Sequence, residues 1–375
     1  MEVLSLRAIN RATLARQLLI ERDARSAEAA IEHLVGLQAQ APFPPYTGLW
    51  TRLAGFRADE LADALLERRV VRVVLMRGTV HLVTAADACF LRPLVQVIMD
   101  RDLRTNALHA RHLTDLDVGE VADAARSVLD GEALTGKELG DALAARWPDV
   151  PPGSLAHAAR GLLALVQVPP RAVWGRSGQT RYRTAEHWLG RSLDTAPDPA
   201  RLVLRYLGAF GPASIADIQT WAGLTRLREV VDPLRPRLRV FADPSGRELF
   251  DLPDAPRPPE DLPVPVRFLP EFDNLLLSHA DRSRVMSEEF RKRLFGVRNG
   301  VFPGTFLVDG FLRGEWRVTK ERKSATLTIT PWAKVSKKDT AALVREGRRM
   351  LEFAAAGAET RDVVLGQNAG QGMAR

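Results

Sequence analysis

VVRVVLMRGTVHLVT, residues 70–84, is the stretch that decides the fold. Its β-branched residues flank Arg77-Gly78, so it reads as two strands joined by a basic turn. Working back from it, Ala58–Glu67 reads as a helix entered through the turn-like Gly55-Phe56-Arg57. Ala8–Glu21 and Ser26–Gln38 read as two more helices, separated by the turn Arg22–Arg25. Three helices followed by a basic-tipped hairpin is the order of a winged helix.

Working forward, the same order returns twice. Helices Val118–Leu129, Lys137–Arg146 and Ser154–Leu165, with a turn at Thr135-Gly136, lead into RAVWGRSGQTRYRTA (171–185), a hairpin turning at Ser177-Gly178. Helix Pro199–Phe210, the turn Gly211-Pro212 and helices Ser214–Ala222 and Thr225–Leu234 lead into RLRVFADPSGRELFDL (237–252), which turns at Asp243-Pro244-Ser245-Gly246. Ser214 followed by Asp217 resembles a capping box, though glutamate is the usual partner. Three cycles carry more weight than one, and at least one of them is expected to be scaffolding.

Beyond the proline-rich linker PDAPRPPEDLPVP (253–265), Val266–Leu269 and the run 301–332 alternate like short antiparallel strands, with turns at Asp309-Gly310 and near Glu321-Arg322. Helix Lys337–Ala356 follows. The expectation is an α+β chain of tandem winged-helix units at 1–112, 113–196 and 197–256, then a small β-rich domain with a terminal helix at 257–365. Residues 366–375 are expected to be a disordered tail.

Within the first unit, HLVGLQAQAPFPPYTGLW (33–50) carries the chemistry. Ile31, Leu34, Val35 and Leu37 are spaced like the end of an amphipathic helix, and Pro42, Pro44 and Pro45 forbid its continuation. The helix should stop near Gly36 to Gln38. Gln38 and Gln40 then fall in an extended exit segment, where side chains two apart point the same way. Two converging amides suit a polar site, but on spacing alone the capping of carbonyls at a helix end is the more ordinary use of such a pair.

Lysine plus arginine exceed aspartate plus glutamate by seven and the pI is about 9.9, so a polyanion is the first partner to consider. The cations cluster: Arg72, Arg77 and His81 on the first hairpin; Arg171, Arg176, Arg181 and Arg183 on the second; Arg235, Arg237 and Arg239 before the third. Arg313, Arg317, Lys320, Arg322 and Lys323 crowd one late hairpin beside Trp316, and HADRSR (279–284) adds His279 and Arg282. Phosphate binding is the expected role for Arg77, His81, Arg176, Arg181, His279, Arg282, Arg313, Lys320, Arg322 and Lys323. Asp273 and Asn274, between apolar runs, are expected to serve a structural network.

Other chemistry is thin. The single cysteine, Cys89, allows no intramolecular disulfide or cysteine-based metal site, and its apolar neighbours suggest a small buried thiol. His109 and His112 read as a turn or helix surface rather than a zinc site, and no phosphate-binding glycine loop is present, so no metal or cofactor is expected. No apolar run would span a bilayer, and a cytoplasmic, membrane-free protein is expected.

LVGLQAQ (34–40), LMRGTVHLVTAAD (75–87), LPEFDNLLLSHADR (269–282) and PGTFLVDGFLRGEWR (303–317) together resemble the winged-helix DNA glycosylases of the AlkZ/YcaQ superfamily, in order and over nearly the full chain. The Gln-x-Gln of Gln38 and Gln40 looks like the AlkZ branch, since the other branch has aspartate at the second position. The resemblance implies a monofunctional DNA glycosylase with a C-shaped DNA cleft and Gln38 and Gln40 as catalytic residues. Its substrates would be bulky N7-alkylated guanines in double-stranded DNA, in some members interstrand crosslinks, either in general repair or in self-resistance to an alkylating natural product. A cleft within one chain makes a monomer sufficient. The other readings open to a basic winged-helix chain are a transcription regulator without catalysis and, less favoured, a nucleoid-type structural binder.

Overall fold

The computed structural model describes residues 1–296 and 302–366. The expected disordered tail, apart from Gly366, and the start of the 301–332 run lie outside the described residues.

After a short strand β1 (Glu2–Val3), α1 (Leu6–Arg16) begins at Ser5, whose hydroxyl accepts from the Ala8 amide. It ends earlier than its apolar pattern suggests because Leu18 adopts a φ of +56°. From Ile9 onward α1 is largely buried, and its polar residues bind distant segments. Arg16 forms a bidentate pair with Asp251 at 2.6 and 2.9 Å, Gln17 donates to the Ala209 carbonyl, and Asn10 donates to the carbonyls of Arg284 and Gly310.

α2 (Ala27–His33) is capped by Ser26 and stops before the expected range, because Val35 and Gly36 both take positive φ. The chain then enters β2 (Leu37–Gln38). The prolines that end one helix start another: α3 (Pro44–Arg52) has proline in its first turn, where no N–H is needed. α4 (Ala58–Leu66) follows, then β3 (Val70–Val74) and β4 (Val80–Thr84) with a tight turn over Met76–Gly78. α5 (Ala85–Leu94) and α6 (Gln96–Thr105) are further helices that the sequence reading did not assign.

The second cycle contains α7 (Val118–Gly131), β5 (Leu134–Thr135), α8 (Gly136–Ala144), α9 (Pro152–Leu162), β6 (Leu165–Val168), β7 (Arg181–Thr184) and α10 (Ala185–Leu189). Its hairpin differs from expectation. The first strand precedes Pro169-Pro170 instead of starting at Arg171, since two prolines cannot donate to a ladder. In the third cycle, α11 (Pro199–Phe210), α12 (Ile215–Ala222) and α13 (Arg228–Leu234) lead to β8 (Arg239–Ala242) and β9 (Glu248–Asp251). The Ser214–Asp217 capping box is present in both directions.

The last region holds β10 (Arg267–Leu269), α14 (Asn274–Leu277), α15 (Glu288–Phe295), β11 (Gly304–Val308), β12 (Phe311–Lys320), β13 (Ser324–Pro331), α16 (Lys337–Ala354) and β14 (Thr360–Leu365). β10 to β14 form one sheet in sequence order, antiparallel except for the β13–β14 pair.

The architecture is mixed α+β. The hairpins of the first two cycles share a six-stranded sheet, β2-β4-β3-β6-β7-β5, through antiparallel pairing of Arg72 with Gln167 and Val73 with Val166. Apolar cores also cross the cycles: Trp50 stacks on Phe353 of α16, and the β3–β4 hairpin packs with α11 and α12. Among the described residues, no helix is long and apolar enough to cross a membrane.

Candidate active site

Gly36 sets the site up. Its φ is +90°, and a Cβ there would lie 2.6 Å from Val83 Cγ1 and 3.0 Å from the Leu82 carbonyl, so the chain leaves α2 pressed against β4. β2 then pairs antiparallel with β4, Leu37 opposite Leu82 and Gln38 opposite His81. The ladder continues as the Ala39 amide donates to the Val80 carbonyl at 2.8 Å, and buried Arg72 donates to the Ala39 carbonyl at 2.7 Å. The extended exit expected from the prolines is therefore a strand edge, held from both sides.

The two glutamines sit in different surroundings. Gln38 is only 8% exposed, and its Oε1 accepts from Arg77 Nη2 at 2.7 Å. Gln40 is exposed, and its Oε1 accepts from the Val80 amide at 3.3 Å. Both side chains are thus tied to the β3–β4 hairpin, one at its turn and one at the start of β4.

Arg77 does not project from a wing tip. It adopts a φ of +58°, its Nη1 donates to the Trp221 carbonyl at 2.5 Å, and the turn packs on the end of α12. There Gly223, at a φ of +76°, brings its α-carbon so close that a Cβ would be 3.0 Å from the Arg77 backbone. Burial, with the charge of Arg282 adding to it, lowers the Arg77 guanidinium to about 10, so it stays charged at neutral pH.

A second segment closes on the first. Pro270 to Asn274 and Gln38 line one narrow cleft with Leu37, Pro44, Pro45 and Gly48. The segment is anchored by polar bonds: Asn274 Nδ2 donates to the Gly36 carbonyl at 2.9 Å, and Asp273 takes two 2.8 Å bonds from buried Arg52. Asp273 and Asn274 are thus structural, as expected. Glu271 and Phe272 between these anchors had no signal in the sequence reading beyond membership of the LPEFDNLLLSHADR stretch.

The expected phosphate-binding residues separate into two groups. His81 and His279 are fully buried, with one ring nitrogen bonded to the Thr79 and Phe210 carbonyls respectively. Burial, reinforced by Arg77, pushes His81 down to about 3, and burial next to Arg284 also lowers His279. This corrects the expectation: both are neutral core residues at pH 7, with no charge to offer a phosphate. Arg181 is committed to the Ala133 carbonyl and Glu138, and Arg282 lies half-buried with its guanidinium 4.2 Å from the Phe295 ring centre.

Arg313, Lys320, Arg322, Lys323 and Arg176 are exposed. Lys320 donates to the Ala354 carbonyl and Lys323 pairs with Glu359. Arg176, Lys320 and Arg322 come together with Phe43, Trp174 and Phe353 around a groove of about 690 Å³, between the β6–β7 connection and the β12–β13 hairpin. Phe43, three residues after Gln40 in the sequence, is one of the residues that line it. Among the described residues, no group of three or more His, Cys, Asp or Glu is arranged to hold a metal ion.

A family model described as DNA glycosylase AlkZ-like matches residues 31–353. A relative from Streptomyces sahachiroi, an interstrand DNA cross-link repair glycosylase, is 23% identical over 361 residues, covering 88% of this chain and 91% of that protein. The solved structure of the Streptomyces sahachiroi DNA glycosylase AlkZ shares this fold with a TM-score of 0.81 at 22% identity, over 98% of this chain and 100% of that one.

Proposed function

This chain belongs to the AlkZ-like DNA glycosylase family, and from that premise we propose that it hydrolyses the N-glycosidic bond of N7-alkylated purines in duplex DNA, bulky and crosslinked adducts included. The observation that carries the reading is the pair of amides on one strand edge, Gln38 and Gln40, both oriented by the β3–β4 hairpin.

Glycoside hydrolysis ordinarily needs an acid for the leaving group and a second group for the attack. An N7-alkylguanine is already cationic and departs neutral, so the acid is unnecessary. What remains is an oxocarbenium-like sugar and a water. The Arg77 bond uses one lone pair of Gln38 Oε1 and leaves a second for that water. Fixed amide dipoles orient the water and stabilise the developing positive charge without reorganising. Unmodified guanine, which needs protonation to leave, is not a substrate on this account.

In this reading the three helix-and-hairpin cycles are winged helices that, with the β-rich domain, surround a C-shaped DNA cleft, and one chain suffices. The exposed cations of the aromatic-floored groove hold phosphate beside the lesion. A crosslinked nucleotide is tethered to both strands, so it is attacked within the duplex instead of being flipped free. Removal of such lesions would serve base excision repair or self-resistance to a DNA-alkylating product.

The test is release of N7-methylguanine and of a bulkier N7 adduct from duplex DNA by wild type, Gln38→Ala and Gln40→Ala. Each variant should bind duplex normally and lose about 10²-fold in rate, the usual effect of removing one oriented dipole. Tight, sequence-selective duplex binding with no base release from wild type would replace this reading with that of a regulator.

A further inference from the structure

We propose that Glu271 is a third catalytic group, the carboxylate that accepts the proton of the attacking water; this rests on the glycosylase reading above. Glu271 lines the same narrow cleft as Gln38. It is half-buried and has no hydrogen-bond or ion-pair partner among the described residues. Among the described residues, each buried acid has an arginine partner: Asp273 with Arg52, Asp251 with Arg16, Asp217 with Arg284, Asp87 with Arg205, Asp243 with Arg247 and Glu346 with Arg22. A partly desolvated carboxylate left unpaired beside a candidate catalytic side chain calls for a role of its own.

The backbone that presents it is constrained. Phe272 has a φ of +59°, an unfavourable conformation for an aromatic residue that persists only where neighbours enforce it. The enforcement is visible on both sides. Upstream, Trp316 Nε1 donates to the Leu269 carbonyl at 2.9 Å; downstream, Arg52 clamps Asp273 and Asn274 is bonded to the carbonyl of Gly36. The last bond ties the Glu271 loop to the turn that sets the position of Gln38.

The chemistry needs such a group. An amide is too weak a base to take a proton from water, so Gln38 and Gln40 can place the nucleophile but not deprotonate it. In the step assigned here, the C1′–N9 bond breaks with its electron pair passing to N9, which neutralises the cationic base. The water oxygen bonds to C1′, and its proton goes to the Glu271 carboxylate and then to solvent. The anionic carboxylate also favours the positive sugar. Burial raises Glu271 above the ordinary glutamate range, which makes it a better proton acceptor.

The experiment is single-turnover release of N7-methylguanine from duplex DNA across roughly pH 5 to 9, for wild type, Glu271→Gln and Glu271→Ala. Wild-type rate should rise with pH to a plateau. Glu271→Gln should lose about 10²-fold at the plateau and lose the rising limb, with duplex affinity and thermal midpoint unchanged. Formate should restore part of the Glu271→Ala rate, which a structural role would not produce. A Glu271→Gln protein within about twofold of wild type, with the pH limb intact, overturns the assignment and leaves the glycosylase reading standing. Absence of release by wild type overturns both.

Discussion

Gln38 and Arg77 make one unit, because the guanidinium that fixes the amide is itself fixed by the Trp221 carbonyl. Arg77→Met should therefore lower N7-methylguanine release about tenfold while leaving duplex affinity and its salt dependence unchanged, since the side chain faces protein. A fall in affinity with a shallower salt slope would instead mean a phosphate contact. The buried His81 makes a second prediction. It is pushed down to about 3 in the folded protein against an ordinary value near 6.5, so the unfolded chain binds the extra proton between those values. Its stabilising contribution is complete above about pH 6.5 and is lost progressively as pH falls toward 3, by at most about 1.4 kcal/mol per pH unit. Chemical denaturation at about pH 7 and pH 5 should show that loss for wild type, and His81→Gln should show a smaller one. Local pattern revealed the glutamines, because Pro42 and the i, i+2 spacing dictate extended geometry. It could not reveal that His81 and His279 are core residues, since what buries them comes from the packing of segments far apart in the sequence.

Secondary-structure order was legible for the same reason: helix ends and hairpin turns are written in prolines, glycines and caps close to where they act. α11 begins and ends where its pattern says, and the Ser214–Asp217 box starts α12. α1 and α2 end early where a non-glycine residue takes positive φ, Leu18 and Val35, a conformation that neighbours impose and composition does not announce. Gly36 is the position where this matters most for the site. Gly36→Ala must bear both a positive φ and a Cβ 2.6 Å from Val83, so it should destabilise the protein by about 2 kcal/mol or more, read from the urea midpoint. Because the same residue sets the exit angle of β2, base release should fall at temperatures where the variant is still folded. Full activity in a folded Gly36→Ala protein would mean that the position of Gln38 does not depend on this turn.

Across the whole molecule, the three cycles read from sequence are not independent bodies. β3 pairs with β6, β1 pairs with β8, and α1 carries buried arginines whose carboxylate partners lie more than two hundred residues away. None of this is encoded in local periodicity; a polar residue on α1 looks solvated until the chain that covers it is in place. The same long-range assembly gathers cations that the sequence only scattered: Arg176 from the β6–β7 connection meets Lys320 and Arg322 from the β12–β13 hairpin across a floor of Phe43, Trp174 and Phe353. If this groove holds the DNA backbone, each cation that contacts a phosphate releases counterions, and log affinity falls with log salt by about 0.9 per contact. The Arg176→Ala, Lys320→Ala, Arg322→Ala triple variant should then bind a duplex with a salt slope shallower by roughly 2 to 3, whereas Gln38→Ala should keep the wild-type slope. An unchanged slope in the triple variant would move the DNA path to the other exposed cations, Arg313 first among them. The contrast between the two variants separates the surface that holds the duplex from the amide that acts on it.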